Sequence, residues 1–314
     1  MNLSDILAGG GEGKTTRIFV TVLLTATLIY TITLNGLAGP GVGPFKQSTG
    51  NVSDKFFTCI TPAGFTFSLW SVIYISLVLI IIYAITLLFR QLDEEPAWRA
   101  GGAISVPFMV TLFVNLNLNV GWLFAWDALN ATGSAIILLL IALTNIVAIC
   151  LSAYSFANAA PRLLTKSKLD FWCGILSING MGFYVTWTIL ASLLNLTIFF
   201  KYEIELDGNG VCLGSLIFLL LVLIIWFILE NSLLRMFSNP LVTHYAVVIW
   251  AMAGMHSKQK NLASREVVAL IITNMTVAAV MLVGRIGFLI YRNRINKLYC
   301  EPTVEDTKVK PVKY

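Results

Sequence analysis

Charge is scarce in this chain. Asp, Glu, Lys and Arg together make up 12% of its 314 residues, against about 25% in soluble domains. With 57% hydrophobic residues, a soluble chain of this length could not hide its apolar surface from water. Metal-ligating residues are equally thin. There are two histidines, and the five cysteines occur singly, at 59, 150, 173, 212 and 300. The absence of a CxxC motif or a His/Cys cluster excludes a structural zinc site. The formal net charge of +5 forms no dense patch, which argues against nucleic acid as a partner. No Ser/His/Asp, Cys/His or paired-carboxylate arrangement is legible. No row of carboxylates or histidines crosses an apolar run, so a proton-coupled transporter finds no direct support. There is no long linker, no low-complexity stretch and no internal repeat, and hence no independent soluble domain.

What the sequence does contain is long apolar segments rich in Leu and Ile. Eight are legible, at about 17–38, 64–89, 105–126, 133–155, 171–200, 213–234, 241–256 and 266–291. A helical span needs about 20 apolar residues. Seven segments meet that easily, and the run from Leu241 to Met255 is short. Backbone groups in lipid must pair internally, which leaves helices or a closed barrel. The runs are continuous rather than alternating, so helices are expected. The expected fold is an all-α integral membrane protein in a lipid bilayer, most simply with eight spans. The first segment is too long for a signal peptide's apolar region and reads as a retained span.

Lys and Arg in the connections set the orientation. With the N-terminus inside, that side holds Lys14, Arg17, Arg90, Arg99, Arg162, Lys166, Lys168, Arg235 and the basic tail. Both termini are therefore expected to be cytoplasmic, although Lys258, Lys260 and Arg265 dissent. The identity of the membrane is not legible. The sequons at Asn51 and Asn130 fall in outer loops and are candidates for glycosylation. Those at Asn195 and Asn274 lie within spans. Cys59 and Cys212 both fall near the outer face. They could form a disulfide in an oxidising compartment, or remain two unrelated thiols. Ala8 to Thr15 fits a relaxed phosphate-loop pattern, but no strand precedes it and a span follows, so it reads as a solvated arm.

Polar groups inside the spans are informative because they cost free energy unless paired. In the third segment Asn115, Asn119, Trp122 and Trp126 share one helical face, and Asn117, Gly121 and Phe124 form an adjoining stripe. In the fifth, Tyr184, Thr188, Ala191 and Asn195 align, with Trp187 at the edge. Two readings stand for these residues. One is hydrogen bonding between helices, which membrane bundles use routinely. The other is the wall of a cavity for a large, planar, mostly apolar ligand. Glu230 is expected at headgroup level, Arg285 is expected to snorkel, and His244 stands alone near a helix start.

These segments resemble the translocator protein, or tryptophan-rich sensory protein (TspO/MBR), family. The second segment has Pro62, Trp70 and Tyr74 at the family's spacing. The fifth has Tyr184, Trp187 and Asn195 at the family's Tyr-x-x-Trp and following Asn. In the third, the family's Gln falls on Asn117 and one Trp on Trp122, whereas its paired Asn is replaced by Gly121 and a second Trp by Phe124. The resemblance covers about residues 17–200. It divides the chain into an N-terminal arm (1–16), a five-helix core (17–200), about three additional helices (201–292) and a basic tail (293–314). It implies a five-helix bundle around a cavity, often dimeric, binding a tetrapyrrole such as haem or protoporphyrin, or a sterol. By carry-over, Trp70, Asn117, Trp122, Trp187 and Asn195 would line or brace the pocket, between the second, third and fifth segments. Tyr74, Asn115, Asn119, Trp126 and Tyr184 complete the candidate set. The expected function is a non-enzymatic sensor or carrier of a hydrophobic small molecule. A transporter or receptor of another class, with a path through the eight helices, and an enzyme acting on a lipid or porphyrin are the alternatives.

Overall fold

The computed structural model describes residues 13–92, 94–100 and 102–296. Ten helices follow in order among the described residues. They are α1 (Lys14–Ala38), α2 (Thr49–Lys55), α3 (Leu69–Phe89), α4 (Val106–Asp127), α5 (Ala131–Lys166), α6 (Lys168–Tyr202), α7 (Gly208–Asn231), α8 (Arg235–Ser238), α9 (Thr243–Gln259) and α10 (Arg265–Asn296). A 3-10 turn (Gly64–Ser68) leads into α3, and Gln91–Leu92 pairs antiparallel with Glu95–Pro96. Of the phosphate-loop stretch, residues 8–12 lie outside the described residues, and Lys14 and Thr15 open α1. The basic tail after 296 also lies outside them.

Helix starts follow from local chemistry. Ser105 caps α4 by accepting from Phe108 N–H, with Pro107 in the first turn. Asn130, Ser167 and Asp207 do the same for α5, α6 and α7. Each cap satisfies backbone donors that the first turn leaves unpaired. Helices α5 and α6 have 36 and 35 residues, about 54 and 52 Å at 1.5 Å per residue. Both exceed a hydrocarbon core of about 30 Å. The apolar periods 133–155 and 171–200 therefore mark only the middle of longer helices.

Among the described residues, seven helices are long and apolar enough to cross a membrane. The seventh apolar segment is the exception and corrects the expectation of eight such spans. It forms α9, with only 17 residues, about 26 Å. Its two ends nevertheless meet different levels of the bundle. At its start, Val242 N–H donates to Asn179 Oδ1 and Thr243 Oγ1 donates to the Asn179 carbonyl. At its end, Gln259 Nε2 donates to the carbonyls of Thr58 and Thr61.

Helix α6 packs against α3, α5, α7 and α9, and α4 packs against α1 and α5. Lipid offers no hydrophobic drive between helices, so small residues and hydrogen bonds hold the bundle together. Gly182 of α6 is one such contact: an added Cβ would lie 2.4 Å from Thr243 Oγ1 and 2.6 Å from Leu241 Cδ1. Asn145 donates to Thr188 Oγ1 at 3.1 Å, Ser192 to the Leu138 carbonyl at 2.9 Å, and Asn274 to the Leu216 carbonyl at 3.1 Å. At the other end of α6, Arg90 forms a two-pronged pair with Asp170, at 2.7 and 2.9 Å.

Residues 39–63 form a strap across one end of the bundle. Asp127 Oδ1 accepts from the backbone of Lys46 and Gln47, at 2.8 and 2.9 Å. Lys201 and Tyr202 donate to the Phe57 carbonyl. Lys258 pairs with Asp54. Cys59 and Cys212 are joined in a disulfide, with Cα atoms 6.1 Å apart. The strap thereby ties the last helices to the first five. Gly41, at φ +74°, turns it back on itself, and a Cβ there would strike the Gln47 backbone at 2.3 Å. Asn51 and Asn130 are both exposed at this end, whereas Asn195 and Asn274 are buried.

Three ionisable side chains differ from expectation. Glu230 and Arg285 are each 0% exposed and His244 is 6% exposed. Instead of reaching headgroups or snorkelling, they meet one another under the segment that joins α7 to α9. Irregular backbone near lipid is stable only where protein satisfies it. Arg285 supplies donors here, to the carbonyls of Ser238 at 2.6 Å and Glu230 at 3.4 Å.

Candidate functional site: a tryptophan-lined cavity

A cavity of about 500 Å³ lies between α1, α3 and α4 beneath the strap. Volumes of a few hundred Å³ suit small-molecule ligands. Trp70, Ser71 and Tyr74 of α3 form one wall, and Trp122 and Leu123 of α4 form another. Asn35, Gly36 and Gly39 of α1 complete it. It opens along the seam between α1 and α3, where Gly36, Gly64 and Ser71 are exposed. Behind Trp70 and Trp122 sits a narrow chamber of about 30 Å³, which Trp126, Trp187 and Asn195 also line.

The aromatic rings are ordered against each other. Trp70 stacks on Tyr74 at 5.6 Å and 18°, and Trp122 on Trp126 at 5.5 Å and 19°. Trp187 meets Trp70 edge-on at 6.3 Å and 86°, and Tyr184 meets it at 6.0 Å and 65°. Each such pair adds about 0.5–1.5 kcal/mol beyond burial. The polar atoms are less settled. Trp126 donates to the Thr49 carbonyl at 3.3 Å. The indole N–H groups of Trp122 and Trp187, the Tyr74 hydroxyl and Asn195 Oδ1 have no hydrogen-bond partner among the described residues. Buried donors are usually paired, so these four atoms, with almost no accessible surface of their own, are exceptions within the wall. The lining residues carry no charged side chain.

The structure divides the candidate residues into three groups. Trp70, Tyr74, Trp122, Trp126, Trp187 and Asn195 line the cavity or its rear chamber, with Tyr184 backing Trp70. Asn115 and Asn119 are fully buried but join helices. Asn115 donates to the Ile141 carbonyl and Thr144 of α5, and Asn119 accepts from Asn35 of α1 at 2.8 Å. Asn117 does not reach the tryptophans. It is exposed on the far side of α4, bonded to the Phe113 carbonyl, in a shallow groove with Gly121. A helix turns about 100° per residue, so Asn117 cannot share the face of Asn115 and Asn119. Phe124 lies on that outer side as well, stacked on Phe45 at 5.1 Å.

The principal cavity also differs in position from the expected pocket. Helix α1, absent from the expected lining, forms one side, while α6 contributes only to the rear chamber. Asn35 was the legible signal for α1, being an amide within an apolar run. Phe67, Thr49 and Gly64 reach the wall through the strap and its turn, and no periodicity marks them.

Cavity and helices together define a polytopic α-helical membrane protein with an aromatic-lined cavity. The chain belongs to the TSPO-like protein family, whose model matches residues 21–288. The match takes in the helices after residue 200 as well as the first five. No curated protein and no solved structure matches the chain.

Proposed function

We propose that this protein binds a flat, mostly apolar small molecule, tetrapyrrole- or sterol-like, in the tryptophan-lined cavity, and acts as a non-enzymatic sensor or carrier. The observation that carries this reading is the pairing of stacked indoles with indole N–H groups that no acceptor among the described residues engages. Planar rings favour a planar ligand through offset or edge-on contact. The free donors favour a ligand bearing acceptor oxygens. With no cation among the lining residues, a ligand's anionic groups would sit towards the mouth rather than inside.

The short α9 returns the chain to the strap end, which leaves the start of α1 and the end of α10 on the same side. The basic connections support a cytoplasmic location for that side. The disulfide and the exposed Asn51 and Asn130 then share the opposite, oxidising side. The first five helices serve as the binding core, and the later helices buttress it through α9 and the disulfide.

Protoporphyrin IX titrated into the detergent-purified protein tests the reading, with Trp187→Ala as the comparison. Saturable binding that weakens in the variant, with its helical content intact, supports the pocket. Equal affinity in a folded variant refutes the assignment of the pocket. A solute-dependent flux in reconstituted vesicles, without saturable binding, would favour a transporter instead.

A further inference from the structure

A second group of buried polar side chains lies apart from the tryptophan cavity, where the segment after α7 folds under the bundle. Glu230 of α7 is at its centre. Its Oε1 accepts from Tyr245 of α9 at 2.6 Å. Its Oε2 makes no hydrogen bond among the described residues. That oxygen faces His244 Nε2 at 3.4 Å and Arg285 Nε at 3.6 Å. Glu230 and Arg285 cancel in charge, so the cluster is neutral while His244 is neutral.

The geometry at His244 is contested. Trp226 of α7 donates its indole N–H to His244 Nε2 at 3.1 Å. An imidazole nitrogen that accepts a hydrogen bond carries no proton. Nε2 therefore cannot accept from Trp226 and donate to Glu230 at the same time. In the Trp226-bonded state the proton sits on Nδ1, which has no partner among the described residues. Glu230 Oε2 is then left short of a donor as well. Adding one proton to Nε2 resolves the second shortage, because the imidazolium donates directly to the carboxylate, a charge-assisted bond of the stronger kind. The same step ends the Trp226 bond.

Trp226 is also part of a cavity wall. About 240 Å³ lies between α5, α6, α7 and the α8 segment, bordered by Cys150, Tyr154, Ile178, Trp226, Phe237 and Leu241. We propose that Glu230, His244 and Trp226 form a proton-binding switch site: a proton taken up from water on His244 Nε2 moves that nitrogen from Trp226 to Glu230 and frees the Trp226 indole N–H for this second cavity. One proton is taken up, one hydrogen bond breaks and one forms. Tyr245 and Arg285, the other titratable groups facing Glu230 from α9 and α10, keep their bonds in both states. Buried ionisable groups in membrane proteins are costly and commonly mark functional sites, and histidine is the side chain whose unperturbed titration falls between about pH 5 and 8, burial drawing that of His244 downward.

The test follows the indole N–H signals of the full chain, labelled with ¹⁵N-tryptophan in detergent micelles, by NMR. The Trp226 signal is assigned by its loss in Trp226→Phe. We expect it to move with a single-proton titration as pH falls through that window, in the direction of a lost hydrogen bond. In His244→Gln the movement should vanish. A Trp226 signal that stays fixed from about pH 8 to about pH 5, while the other seven indole signals report a folded protein, overturns the proposal. So does a titration that persists in His244→Gln. The wild-type titration decides alone if that variant does not fold.

Discussion

Trp122→Phe isolates the part of the cavity that should recognise a ligand. Trp122 is 7% exposed and stacks on Trp126 at 5.5 Å. A phenyl ring keeps that stack, and the N–H it lacks has no acceptor among the described residues. Removing the donor therefore strands no protein group. Stability should fall by less than about 1.5 kcal/mol, as for other conservative apolar exchanges. Trp122→Ala, by contrast, should cost about 3–5 kcal/mol. If the N–H engages an acceptor on the ligand, its loss removes about 0.5–1.5 kcal/mol of binding. At about 1.4 kcal/mol per tenfold, affinity should weaken about 2- to 12-fold. Calorimetric titration with protoporphyrin IX reads this directly, and a planar hydrocarbon without acceptors serves as the control whose affinity should not change. Unchanged affinity for the acceptor-bearing ligand, in a folded Trp122→Phe protein, would refute the assignment of the donor. A loss of stability well above 2 kcal/mol, a threshold of about one buried hydrogen bond plus its desolvation, would show that the N–H is already paired within the protein.

Two further substitutions probe the surroundings. Gly36→Leu places a side chain where an added Cβ meets nothing within 4 Å, at the cavity mouth; binding should weaken by about tenfold or more, while thermal stability holds or rises because Gly in a helix costs about 1 kcal/mol. Undiminished binding would show that the ligand enters elsewhere. Gly182→Ala drives a methyl into Thr243 and Leu241 and should cost about 1–3 kcal/mol. A melting temperature equal to that of the wild type would mean that α9 is not closely held to α6.

Much of the architecture was readable without coordinates. Low charge and continuous apolar runs require helices in a bilayer, because no other open structure satisfies the backbone in lipid. The spacing of 3.6 residues per turn placed Asn115, Asn119, Trp122 and Trp126 on one buried face of α4, which the structure bears out. The Trp, Tyr and Asn spacings pointed to the family that the chain belongs to. Asn117 shows the limit of such carry-over. A position matched by motif takes its neighbours from the helix's rotation, and that rotation turns Asn117 away from the tryptophans.

Other features depend on residues far apart in the chain, and only tertiary structure brings them together. The two sulfurs of the disulfide are 153 positions apart in sequence. The strap that lines the cavity is held by Asp127, Lys201 and Gln259, from three different helices. Glu230, His244 and Arg285 each read as a solitary anchor, because hydropathy weighs a residue only against its neighbours in the chain. Folding the segment after α7 back under the bundle places His244 and Arg285 each within 4 Å of the Glu230 carboxylate. The sequence by itself determined the solvent, the helices and their buried faces, since these follow from composition and local periodicity. Which faces meet, and so where the cavity and the buried ionic cluster lie, was decided by packing between helices, which no local pattern encodes.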